Sequence, residues 1–182
     1  MKKSYQSYWI KICTIHLFTK HYQLIAEELH IGDMFLQALK EHRDAYDHII
    51  RIYGIPNSRT LPMDVDAYID SNFQDAISHE YRAFCDTADW LTIICRKAIR
   101  YIINQTDASV VKEQYPKFAD IDPKIIDFSL RVAKERENKD IGGDVISKVK
   151  RYSKLLDEII NYYKEIARAF PHIPVNDISI AD

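Results

Sequence analysis

Apolar residues recur every three or four positions along most of this chain, and strict alternation over a useful length is missing. The first period is that of an amphipathic helix and the second that of a half-buried strand. An all-α fold without a sheet is therefore expected. Residues 4–30 carry Tyr8, Ile12, Ile15, Leu17, Phe18, Tyr22, Ile25, Ala26 and Leu29 at helical spacing. A break follows over His30 to Asp33, where Asp33 is placed to cap a second helix running to Tyr53. Gly54 ends that helix, and two prolines hold the following stretch as a loop. Asp64 can cap a third helix. Neither Gly nor Pro interrupts the chain from there to Asn104, which predicts one helix of about forty residues, about 60 Å long. Residues 105–122 read as a loop with a short helix over Val110 to Pro116. Asp122-Pro123 starts the next helix, with proline in the first turn, and Gly142-Gly143 interrupts it or marks a turn. A last helix spans Asp144 to Phe170. The expectation is one domain, residues 1–170, built as an up-and-down bundle of four to five long antiparallel helices. Residues 171–182 form a proline-punctuated, loosely ordered tail.

Composition narrows the class. The chain of 182 residues is 47% hydrophobic and 29% charged, which suits a folded globular domain. The formal net charge of -2 gives no global pull toward nucleic acid or anionic lipid. RNA as a partner thus gains no support from charge, and no segment is apolar enough to span a membrane. Cys13, Cys85 and Cys95 lie inside helical patterns with no CxxC spacing. They read as buried free thiols in a reducing, cytoplasmic setting. The N-terminal apolar run is broken by Lys11 and His16, so it reads as a core helix rather than a secretion signal. No metal or cofactor is expected. A di-iron bundle needs two Glu-x-x-His pairs, and only Glu27 with His30 fits. Asp75 and His79, one turn apart, offer an adventitious ion site at most. Phosphate-binding, dinucleotide and hydrolase signatures are missing.

Charged positions supply the candidate chemistry. On the second helix Leu36, Leu39, Tyr46, Ile50 and Tyr53 cluster on one side, and Arg43 falls among them. If that side faces the core, Arg43 needs a carboxylate. Asp47 is the local choice and Glu80, on the apolar side of the third helix, the distant one. A buried ion pair of Arg43 with Asp47 and Glu80 is expected. The pattern Glu41-x-Arg43-x-x-x-Asp47 recurs as Glu80-x-Arg82-x-x-x-Asp86, each Arg–Asp pair one turn apart. The third helix carries a polar stripe of His79, Arg82, Asp86, Asp89, Arg96 and Arg100, read as a solvated or partner-facing surface. Arg82, Asp86 and Asp89 are its candidate interface residues. Tyr162 and Tyr163 join them, because adjacent helical residues point about 100° apart and at least one should approach the surface.

The run Arg43-Asp44-Ala45-Tyr46-Asp47-His48 matches the R-x(4–6)-H signature of the HEPN superfamily, with a polar residue directly after the arginine. The chain thus resembles HEPN proteins, which are all-α bundles of about this size. Many are metal-independent ribonucleases that pair Arg and His across a dimer interface, and others are inactive binding modules. The resemblance implies that Arg43 stabilises developing phosphate charge and that His48 serves as general acid or base. Five helical positions set the two side chains about 140° apart, so one protomer does not align them on a single face. The leading expectation is a HEPN-like module acting by homodimerisation or by binding a protein partner. A metal-independent endoribonuclease using Arg43 and His48 is the second. A regulatory or adaptor bundle unrelated to HEPN proteins is the third.

Overall fold

The computed structural model describes residues 3–29, 35–55, 63–137 and 144–173. Among them six helices and no strand occur: α1 (Lys3–Leu29), α2 (Leu36–Gly54), α3 (Val65–Asn104), α4 (Ala108–Gln114), α5 (Phe118–Glu137) and α6 (Val145–Ala169). The proposed Asp33 cap, Glu27-x-x-His30 and the Gly142-Gly143 break involve positions outside the described residues. No described helix is long and apolar enough to cross a membrane.

The long α3 starts as the sequence suggested. The Asp64 carboxylate accepts a hydrogen bond from the Ala67 amide at 3.0 Å, occupying one of the four amides that a helix start leaves unpaired. Forty residues follow without a break. Because α1, α2, α5 and α6 all pack on it, α3 is buried on several sides. Phe73, Phe84, Leu91, Cys95 and Ile102 are almost fully enclosed. The opposite walls of the core come from Ile15 on α1, Phe128 on α5, and Leu156 and Ile159 on α6, with Phe170 closing its end. Asp144 caps the start of α6: its side chain accepts from the Ile146 amide at 3.2 Å and also from the Ser147 hydroxyl.

Specific contacts fix how the helices align. Tyr5 bonds Asp66, Tyr8 stacks on Phe73 with centroids 5.0 Å apart, and Tyr22 meets Phe84 edge-on, so positions climb together on α1 and α3. On α2 they run oppositely: Phe35 stacks on Trp90 at 4.8 Å, while His48 reaches Asn72. Arg136 with Asp89 and Arg96 with Ser129 give α5 the sense of α2. Tyr152 sits against both Phe84 and Asp89 on α3. A bidentate Arg131–Glu158 pair, at 2.8 and 2.7 Å, joins α5 to α6.

Three expectations change. α5 starts at Phe118, and Pro123 lies inside it. That proline removes the bond to the Ala119 carbonyl, which stands at an exposed residue where water can replace the lost donor. Cys85 and Cys95 are buried, and burial pushes the Cys95 thiol up to about 12, but Cys13 is exposed. The largest change concerns α2. Leu36, Leu39, Tyr46, Ile50 and Tyr53 do share a face, but that face points to solvent, 40–67% exposed. The side turned to α3 is made of Ala38, Glu41, Ala45 and Ile52. A second exposed row, Ile10, Leu17 and Leu24, runs along α1 at seven-residue spacing.

Candidate functional site

The inward side of α2 is polar because α3 presents polar groups to it. Glu41-His42 on α2 lies against His79-Glu80 on α3, and since the helices run oppositely the partners cross. Glu41 accepts from His79 Nδ1 at 2.8 Å, and Glu80 pairs with His42 Nδ1 at 3.1 Å. α1 adds His16, whose Nδ1 lies 3.2 Å from the other oxygen of Glu80. Arg82 Nε donates to Glu41 at 2.9 Å. About two turns further along α2, His48 Nδ1 lies 2.9 Å from the Asn72 side-chain oxygen, with Asp75 at 3.7 Å. The imidazoles are neighbours as well. His16 and His42 have centroids 4.7 Å apart, and His48 and His79 stack at 5.4 Å. Among the described residues, four histidines therefore line one seam where α1, α2 and α3 meet.

Burial and hydrogen bonding oppose each other here. Burial raises the pKa of the Glu80 carboxyl, but the hydrogen bonds from His16 and His42 outweigh it, leaving the acid below its ordinary range. Glu41 behaves alike: burial raises it, and the bonds from Arg82 and His79 bring it lower. His16 is raised, chiefly by its bond to Glu80. Two glutamates thus stay ionised inside a helical seam because each receives charge-assisted bonds. No protein-family model, curated protein or solved structure matches the chain.

The residues singled out from sequence are distributed otherwise than expected. Arg43 is exposed and donates to its neighbour Asp44 at 3.0 and 2.8 Å. Asp47 adds only a longer-range pull on Arg43, and Glu80 belongs to the two histidines. The expected buried Arg43–Asp47–Glu80 pair is therefore corrected. Arg43 does lie among the apolar neighbours that helical spacing gives it, but the group faces solvent rather than the core. His48 faces α3, so it does not share a face with Arg43. The polar stripe of α3 is divided between internal partners. His79 and Arg82 serve Glu41, whereas Asp89 accepts from Tyr152 at 2.6 Å and from Arg136 at 2.9 Å. Asp86 is half-buried on the same helix. Tyr162 and Tyr163 are half-buried against the core, and Tyr162 donates to Glu158 at 3.1 Å.

Glu41, His42 and His16 were missed as site residues. A readable signal did exist for the first two. Glu-His and His-Glu dipeptides flank one loop symmetrically, so folding the helices back on each other brings each acid to the opposite histidine. An apolar recess of about 470 Å³ lies elsewhere, between the end of α3, α4 and the start of α5. Ile103 on its wall is 23 residues beyond Glu80, roughly 35 Å along the helix. No histidine or carboxylate lines it.

Proposed function

We propose that the chain is a HEPN-like helical-bundle module that acts by self-association through the outer face of α2. One observation carries this reading. Leu36, Leu39, Arg43, Tyr46, Ile50 and Tyr53 are all exposed and follow steps of three, four, three, four and three. That is the spacing of a coiled-coil seam. It also reads identically from either end. In an antiparallel pairing of two α2 helices, Leu36 of one copy meets Tyr53 of the other, Leu39 meets Ile50, and Arg43 meets Tyr46. Every layer is then satisfied twice by a two-fold axis, as an isologous interface requires. Arg43 over the second copy's Tyr46 forms a cation–π contact, and a single polar residue in such a seam sets its register. Lys40 and Asp47, both exposed beside the row, fall opposite each other across the same axis.

The alternating sense of the consecutive long helices supports the up-and-down bundle within this reading. Cysteines outside any disulfide, two of them buried, support a cytoplasmic setting. The ribonuclease alternative gains nothing from the placement of its pair, because His48 is turned to Asn72 and Asp75 while Arg43 points outward.

Sedimentation at micromolar concentration tests the proposal. The wild-type protein is expected at twice the 21.4 kDa chain mass. Leu39→Glu with Ile50→Glu is expected to give monomers of unchanged helicity. A strict monomer in the wild type, or a dimer untouched by the double substitution, refutes the α2 interface.

A further inference from the structure

We propose that His16, His42 and Glu80 form a site for one divalent transition-metal ion of the zinc class. Each residue comes from a different helix, and each offers one donor atom, all within 4.8 Å of one another. The separations that matter chemically are shorter. His16 Nδ1 and His42 Nδ1 lie 3.2 and 3.1 Å from the Glu80 oxygens. Zinc bonded at ~2.0–2.1 Å in a tetrahedron holds its ligand atoms about 3.3 Å apart. Glu80 thus turns one oxygen to each imidazole at close to a tetrahedral edge, and a small rotation of its carboxylate or of a ring brings one oxygen and both nitrogens onto a single ion.

The donor set selects the ion. Two imidazoles and one carboxylate suit zinc, cobalt, nickel or copper, whereas magnesium and calcium prefer oxygen alone. Three protein ligands leave a fourth position. Glu80 and His42 form the floor, with side chains 7% and 16% exposed, and His16 stands at the rim with 47% exposed. The open side thus faces solvent, and water completes the shell. Binding needs each Nδ1 free of its proton: a neutral ring carries it on Nε2 instead, and an imidazolium releases one proton to solvent. Affinity therefore weakens as pH falls and the imidazoles are protonated. The sequence offered no hint of the set, because its members lie 26 and 38 positions apart and share no local spacing. An ion here ties α1 to the α2–α3 pair.

The test uses the full chain without a histidine tag, stripped with EDTA and dialysed. Calorimetry with zinc alone is expected to give one ion per chain, and cobalt alone is expected to give visible bands of a tetrahedral complex. His16→Ala changes a rim residue and should preserve the fold. It is expected to weaken zinc binding at least about 10-fold, the lower end of losses seen when even a supporting partner of a ligand is removed. His21→Ala, on the exposed side of α1, is expected to leave binding unchanged. Glu80→Gln is expected to abolish the cobalt bands, with circular dichroism reporting its fold. No saturable binding in the wild type overturns the proposal. So does a His16→Ala protein that binds zinc as tightly as the wild type, and so does equal loss in His21→Ala.

Discussion

Replacing Glu80 by glutamine keeps the shape of the side chain and removes its charge. In the native seam the carboxylate takes two bonds from imidazoles. Hydrogen bonds to a charged group contribute ~1.5–3 kcal/mol each, and neutral ones ~0.5–1.5 kcal/mol. An amide retains one acceptor oxygen, so one neutral bond survives and the other imidazole faces an amide NH₂. Relief from burying a charge offsets part of the loss. The net expectation is ~1–3 kcal/mol of destabilisation, or about 2–12 °C in melting temperature for a chain of this size. The pH dependence is sharper than the magnitude. The Glu80 pKa is lowered from 4.5. Its contribution is therefore complete above that pH and lost as pH falls through the lower folded value. The His16 pKa is raised from 6.5, so its contribution is complete below that pH and lost as pH rises through the higher folded value. The gap between wild type and Glu80→Gln should be widest between pH 4.5 and 6.5. Thermal melts in EDTA across pH 3–9 measure it. Equal melting temperatures in that window, or a gap that widens steadily toward alkaline pH, would refute the account of the seam.

Other expectations follow from the same geometry. Arg43→Ala, at an exposed residue bonded only to its sequence neighbour among the described contacts, should leave the melting temperature of the monomeric Leu39→Glu, Ile50→Glu protein unchanged. In the wild-type background it should weaken self-association, read by sedimentation at several concentrations. Phe128→Ala should cost ~3–5 kcal/mol in denaturant unfolding, because the ring is fully enclosed where α5 meets the core. If Arg43 and His48 catalyse as the HEPN resemblance implies, the dimer should cut single-stranded RNA in EDTA, leave DNA intact and lose ~10²–10⁴-fold activity in His48→Ala. A wild-type dimer inert on varied RNAs would leave the binding-module reading ahead.

The limits of α3 were legible because they depend on local chemistry: an aspartate that can cap, and forty positions free of helix breakers. The start of α5 was less legible. Proline marks where a helix is easily begun, yet an extra turn before it costs only one hydrogen bond at an exposed carbonyl. The site failed for a different reason. Periodicity reveals which residues share a face but not where that face points. Assigning the apolar side of α2 to the core assumed that no partner awaited its polar side. Glu80, His79 and Asn72 are such partners, and they lie on another helix. His16 was the least accessible to sequence reasoning, since nothing near it on α1 marks it as more than a polar interruption.

The inversion of α2 is itself an argument about function. Fully burying a large apolar side chain contributes ~1.5–3 kcal/mol, and α2 leaves five large apolar or aromatic side chains 40–67% exposed. It buries two glutamate-centred clusters instead, each of which must be fully paired to avoid a severe penalty. A monomer gains little from this exchange beyond the fixed register that crossed Glu–His pairs impose on α2 and α3. A dimer gains considerably more. The polar seam holds α2 in one rotational setting, and that setting presents the self-complementary row outward. The two proposals therefore meet on one helix: the seam orients α2 from inside, and the row acts outside. Substitutions in the seam should consequently weaken dimerisation without touching its surface. Glu41→Gln, which loosens the pairing with His79 and Arg82, should raise the concentration needed for half-dimerisation. Lys150→Gln, an exposed change on α6, should not. If sedimentation finds Glu41→Gln dimerising as strongly as wild type, seam and row are independent, and orientation of α2 is not what the buried glutamates provide.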